Sequence, residues 1–453
     1  MTMPTARPAP GGEITALYAG PLAGAVTVSG EHALAHRAAA LASLALGETR
    51  IDNFPTAADI GLTLAAMRAL GAEAAFEGPA RLRIRGLGIG GLVEPRGILA
   101  CGSSSQTLTI LLGLLASQGF AATLSGEGAL AALDNGPLLE ALRRVGADVV
   151  SRSRGRLPLS IAGAAMPLPI DERLEPGAAR TKTALLLATL GCPGVSTLTE
   201  SPAMADGGEG LLAAFGAAIE IERDGEGARR IIIEGGRALR PQALTLPGDP
   251  TLAGFAILAG LIVPDSQITL RRVLADPARM ALVDTLTDMG ADITITARGA
   301  TPCGPVADFT IRSSRLTGTR VPAARAGLLR HDDAALLAAA AAAKGVTTIE
   351  GLGTPRLGPG ARRGALTAAF RAAGVAIEDG PESLVVTGGL PQASARVRTD
   401  DAAIAAALLT LGLATPHGIT LDETAPLRQS FPGFLAMLAD LGARFEPMGP
   451  DSA

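Results

Sequence analysis

The stretch Gly30-Glu31-His32-Ala33-Leu34-Ala35-His36-Arg37 runs from a glycine-led turn into an Ala- and Leu-rich helical pattern. Such a turn suits an anion, because unpaired backbone N–H groups and the positive end of the helix dipole point the same way. The first side chains at its mouth oppose that use. Glu31 brings a negative charge, and His32, with an ordinary pKa near ~6.5, is mostly neutral at physiological pH. No nucleophilic triad, metal constellation or Walker loop stands out elsewhere. The three cysteines, Cys101, Cys192 and Cys303, are too far apart for metal-ligand spacing and odd in number. They read as buried small residues in a reducing cytoplasm.

The elements that must position such a turn recur along the chain. An amphipathic helical pattern, then a glycine, then an extended stretch appears at Gly71, Gly146, Gly216, Gly290, Gly374 and Gly442. Successive copies are 75, 70, 74, 84 and 68 residues apart. In each, the glycine predicts a left-handed helix cap from which the chain turns into a strand. A wholly apolar helix and a β-branched strand precede most copies, as in "GETRIDNF", "GVSTLTES" and "GVTTIEGL". A period of ~70 residues exceeds that of solenoid repeats, so six units in two lobes of three, with a cleft for small ligands, is the α/β architecture this predicts.

Composition removes several function classes. The 453-residue chain carries a net charge of −4, one Tyr and no Trp, which argues against nucleic-acid binding. Its longest apolar runs fall short of ~20 residues and read as buried helices rather than membrane spans. The N-terminal "MTMPTARPAPGG" has no apolar core and is no secretory signal. Lys182 and Lys344 are the only lysines, so 37 of the 39 basic residues are arginine.

With the six units in place, "LPGDPTLAGFAILAG" from Leu246, "GPLLEALRRVGAD" from Gly136, "KTALLLATLGCPGVSTL" from Lys182 and "SFPGFLAMLADLGA" from Ser430 resemble the 5-enolpyruvylshikimate-3-phosphate (EPSP) synthases. The resemblance spans about residues 12–447. It implies a two-lobe inverse α/β barrel of six βαβαββ-type units, three per lobe. Lobe I would comprise residues 12–30 and 249–447, lobe II residues 31–248, with tails at 1–11 and 448–453. The implied reaction transfers the enolpyruvyl group of phosphoenolpyruvate to shikimate 3-phosphate without metal or organic cofactor, in a cytoplasmic monomer.

That reaction brings two phosphates and two carboxylates into one site, so it needs fixed cations and acid–base groups. The resemblance places the family's Lys at His32, its serines at Ala33 and Ala35, and its Arg at Arg37. Asp59 matches a family Asp. The phosphate loop reads "GSSSQTLT", with Ser103, Ser104 and Gln106 as neutral donors and Thr109 in place of Arg. Arg180 stands where the family clamps phosphate with Gln. The catalytic Asp aligns with His331, or with Asp332 after a one-residue slip. Arg356 and Arg362 persist, whereas a Lys has become Gly358 and the acid–base Glu Pro359. Ala403 and Gln429 replace two further cations.

A charge-assisted hydrogen bond contributes roughly 1.5–3 kcal/mol, so losing about five cations removes on the order of 7–15 kcal/mol of interaction. The resemblance therefore implies a family member severely impaired in, or without, the parent reaction. The alternatives are activity recovered through Arg180, a related transferase or lyase on a less anionic substrate, and a non-catalytic binding or scaffold protein.

Overall fold

Six helices are predominantly apolar and carry few charged residues, and a helix of that kind is stable only when other elements surround it. The computed structural model describes residues 12–201, 207–223, 225, 227–329, 332–351 and 361–448. The six are His32–Leu44, Ser105–Ala116, Ala179–Thr189, Pro250–Ile262, Asp333–Ala342 and Ala402–Gly412, and nearly all their side chains are buried. The chain divides into two units. An internal unit holds Gly30–Pro247 with the short turn Ala300–Gly304, and a terminal unit holds the remainder from both chain ends. Three of the six helices lie in each.

The strands form six four-stranded sheets, three per unit. One sheet illustrates the plan. Ala243–Thr245 runs parallel to Leu46–Asp52, with Leu244 opposite Ile51. Leu46–Asp52 pairs antiparallel with Arg81–Leu87, which pairs antiparallel with Glu73–Gly78. Leu82 and Ile84 turn to the core while Arg81 and Arg85 face solvent, the alternation of a sheet wet on one face. The other sheets repeat the strand order. In the sheet of the chain ends, Glu13–Leu17 pairs with Arg444–Met448, so the two termini close one repeat together. The last strand thus runs one residue beyond the tail boundary read from the sequence; residues 1–11 and 449–453 lie outside the described residues.

The six repeat glycines all have positive φ, from 85° at Gly216 to 104° at Gly146. Gly146 shows the reason. Its N–H closes the helix Gly136–Val145 onto Arg143 and Leu142 carbonyls in a left-handed cap, where a Cβ would be strained. The three cysteines are buried and unpaired by disulfide, and burial pushes each thiol up to about 12. Among the described residues no helix is long and apolar enough to cross a membrane.

Candidate active site

The turn at Gly30 is built by close approach. A Cβ on Gly30 would stand 2.1 Å from the Asn53 carbonyl oxygen, so only glycine fits. Glu31 then takes extended geometry as N-cap of the helix His32–Leu44. Its buried carboxylate accepts from the Leu34 N–H at 2.6 Å, and its own N–H donates to the Pro247 carbonyl. The sequence predicts Glu31 as a charge facing an incoming anion. Instead its carboxylate turns back onto the helix and occupies one of the donors an anion would use.

One turn of helix places His32 and His36 on the same face, four residues apart. Both reach Asp59, in the first turn of the helix Ala58–Ala69. Asp59 Oδ2 lies 2.9 Å from His32 Nε2 and 3.3 Å from His36 Nε2, and it accepts from Ser104 Oγ at 3.1 Å. Ser104 also caps the helix Ser105–Ala116 through the Thr107 N–H. Burial works against the Asp59 charge, but hydrogen bonds from the two imidazoles hold its carboxyl well below the usual range. Burial lowers the pKa of His36, which has no exposed surface, against the opposing hydrogen bond to Asp59.

Two guanidiniums lie on the same unit. Arg37 donates to Thr183 Oγ1 at 3.1 Å. Arg180, in the first turn of the helix Ala179–Thr189, sends Nε to Thr109 Oγ1 at 3.0 Å and Nη2 to Asn135 Oδ1 at 2.8 Å. Burial lowers its pKa, yet an arginine stays cationic. The guanidinium from one helix thus stands beside the position on the next helix where the resemblance expects arginine. Ser103 is exposed and Gln106 half-buried at the start of the Ser105–Ala116 helix.

The terminal unit treats its helix ends differently. Asp249 caps Pro250–Ile262 through the N–H groups of Thr251 and Leu252. Asp401 caps Ala402–Gly412 through those of Ala403 and Ile404. Asp332 precedes Asp333–Ala342, and its Oδ1 is buried without a hydrogen-bond partner among the described residues. Burial raises its carboxyl to about 6; Arg279 opposes the rise and Asp249 adds to it. Arg362 is committed to carboxylates on both sides: Asp333 at 2.9 Å, and Asp401. The resemblance implies Arg362 as an anion ligand, and its guanidinium pairs with two carboxylates of the chain itself. Gln429 is exposed on the short helix Ala425–Ser430. His331, Arg356, Gly358 and Pro359 lie outside the described residues.

The resemblance gives His36 no role, as a variable family position, and Asn135 carries no motif. For His36 the signal was present in the four-residue spacing from His32. For Asn135 there was none, since its partner Arg180 is 45 residues away. Nor does the sequence mark a buried ion quartet: Lys182 Nζ lies 3.0 Å from Glu200 and 2.6 Å from Glu209, and Arg229 pairs with the same two acids.

Comparison with known proteins gives a consistent result. Residues 18–438 match the family model described as EPSP synthase (3-phosphoshikimate 1-carboxyvinyltransferase). A 3-phosphoshikimate 1-carboxyvinyltransferase of Rhodospirillum rubrum is 37% identical over 430 residues, 93% of this chain and 95% of the relative. One of Granulibacter bethesdensis is 39% identical over 424 residues, 93% of each chain. An EPSP synthase structure from Acinetobacter baumannii superposes with a TM-score of 0.85 at 26% identity, covering 96% of this chain and 99% of that one. The enolpyruvyl transferase NikO from Streptomyces tendae shares the fold, with a TM-score of 0.74 at 22% identity and coverage of 96% and 99%.

Proposed function

This chain belongs to the EPSP synthase family, and we propose that it is an enolpyruvyl-transferase-type protein severely impaired in joining phosphoenolpyruvate to shikimate 3-phosphate. His32 carries this reading. At the family's lysine position stands an imidazole whose Nε2 is 2.9 Å from Asp59 Oδ2. An imidazole already bonded to a carboxylate offers a phosphate much less than an ammonium does, a loss of roughly 1.5–3 kcal/mol. The commitment of Arg362 to Asp333 and Asp401 points the same way. So does Pro359, which cannot transfer a proton where the family uses Glu, a deficit of perhaps ~10²–10⁴ in rate. The same reading takes the chain as a cytoplasmic monomer that needs no organic cofactor.

Arg180 favours a second reading. Its guanidinium beside Thr109 returns a cation to the phosphate loop, which supports retained binding of a phosphorylated substrate and some residual transfer. Incubation with shikimate 3-phosphate and phosphoenolpyruvate, with phosphate release and EPSP followed by mass spectrometry, tests both. The expected result is binding with little or no product. Turnover within the ordinary enzymatic range of roughly 1–10³ s⁻¹, or growth rescue of cells lacking their own EPSP synthase, overturns the impaired reading.

A further inference from the structure

A chain of hydroxyls lies beneath His36. His36 Nδ1 lies 2.7 Å from Thr63 Oγ1, and Thr63 Oγ1 lies 2.8 Å from Thr107 Oγ1. Thr107 spends its hydroxyl proton on the Asp59 carbonyl at 3.2 Å or on Ser104 Oγ at 3.0 Å. With Thr107 donating there, Thr63 can donate to Thr107 and accept from His36 Nδ1–H, the tautomer that a metal-bound His36 requires. In that tautomer His36 Nε2 carries the lone pair. It faces Asp59 Oδ2 at 3.3 Å and His32 Nε2 at 3.3 Å. Without a metal these three atoms can share imidazole protons; a metal ion in their place is bound by all three.

The three donor atoms outline where that cation would lie. His32 Nε2, His36 Nε2 and Asp59 Oδ2 form a triangle with sides of 2.9, 3.3 and 3.3 Å. Around a tetrahedral ion with bonds of about 2.0–2.1 Å to nitrogen and oxygen, neighbouring ligand atoms stand about 3.3 Å apart. We propose that His32, His36 and Asp59 form a binding site for a divalent transition ion of the zinc type, with its remaining position taken by water or an anionic oxygen. The Thr63 hydroxyl fixes the His36 ring from behind, as outer-shell partners of metal-ligating histidines do. Ser104 Oγ does the same for Asp59. His36 is wholly buried, while the side chains of His32 and Asp59 are 30% and 27% exposed, so the fourth position opens towards solvent. Three protein ligands and one exchangeable position is the arrangement of catalytic rather than structural zinc sites. A dication here also returns positive charge to a helix end that Glu31 has made acidic. The inference does not rest on the impaired-transfer reading, because metal binding is measured without turnover.

The test is titration of the metal-free, full-length protein with Co²⁺, read by its visible d–d absorption, followed by displacement with Zn²⁺ in calorimetry. One equivalent of Co²⁺ with the intense bands of four- or five-coordination is expected, and inorganic phosphate should shift those bands. His32→Ala and His36→Gln should each weaken binding at least about tenfold, and Thr63→Val by about tenfold. The half-exposed His32 and the shape-matched glutamine keep the variants folded, which circular dichroism and melting confirm. No Co²⁺ binding, or binding unchanged in His32→Ala and His36→Gln, overturns the site. Bands indifferent to phosphate overturn its anion-accepting position.

Discussion

The two units present different chemistry at the first turns of their central helices. In the terminal unit, aspartates stand at all three starts: Asp249, Asp332 and Asp401, with Asp333 beside the second. Two of the three cap their helices directly, and Arg279 and Arg362 offset the accumulated charge. In the internal unit the starts are Glu31, Ser104 and Ala178, and Ala178 contributes no side-chain cap. Arg37, Arg180 and two histidines gather there instead. Helix N-termini filled with carboxylates cannot also hold phosphate, whereas those left to serine, alanine and arginine can. Among the described residues, the helix ends free of carboxylate caps are therefore in the internal unit, and we propose that its capacity for anions is the greater.

The largest expected effect comes from the buried charges behind the internal unit's third helix. Lys182 and Arg229 neutralise Glu200 and Glu209 in a site without solvent. Lys182→Met leaves one buried carboxylate uncompensated and should cost about 3–5 kcal/mol, read as a lower urea midpoint. A cost within about 0.5 kcal/mol would show that the quartet contributes nothing to that unit's stability.

Next comes Asp332, where the terminal unit has one acid too many. Its carboxyl, raised from 3.8 to about 6, holds its proton more tightly folded than unfolded. The stabilisation is complete below the unfolded pKa and is lost as pH rises through about 6. Asp332→Asn cannot ionise, so it should exceed the parent in stability by up to roughly 3 kcal/mol at pH 8 and match it near pH 3.5. Urea midpoints across that range check the sign. A variant less stable at pH 8 than at pH 4, relative to the parent, would mean that the ionised carboxylate is favoured where it stands.

The repeat was legible because backbone demands leave marks on single residues. Gly71, Gly146, Gly216, Gly290, Gly374 and Gly442 announce six helix ends, and runs such as Leu252–Leu261 announce helices with no solvent face. The candidate site was legible only in its residue types. Which way Glu31 turns, that Arg180 crosses to Thr109 on another helix, and that Lys182 meets Glu209 all depend on how helices pack. Periodicity assigns a residue to a face of its own helix and says nothing of the neighbour across it. His36 is the instructive exception: a helical spacing of four from His32 was enough to place both rings together.

Arg180 in the internal unit and Arg362 in the terminal unit differ in what their guanidiniums hold. Removing the guanidinium by Arg180→Gln should weaken binding of shikimate 3-phosphate by about tenfold or more, one charge-assisted contact. The matching change in the terminal unit, Arg362→Gln, should leave that affinity within about twofold and lower stability instead, because it strips Asp333 and Asp401 of their partner. Calorimetry and urea denaturation on both variants separate the roles, and a larger loss of affinity from Arg362→Gln would reverse the assignment of anion capacity to the internal unit.

The smallest effect is expected at Glu31, and it asks whether one carboxylate makes a helix end of the internal unit resemble those of the terminal unit. Glu31→Gln keeps an oxygen that can accept from the Leu34 N–H at the present 2.6 Å position, so the cap survives. What disappears is the charge. A full charge near a helix terminus is worth roughly 0.3–1 kcal/mol, so phosphate affinity at neutral pH should improve by about two- to fivefold while the urea midpoint hardly moves. The effect should shrink as salt is added, because the carboxylate acts on the ligand through its field rather than by contact. An affinity that stays constant while stability falls would mean that Glu31 serves the helix alone, and that the turn at Gly30 has no remaining part in holding an anion.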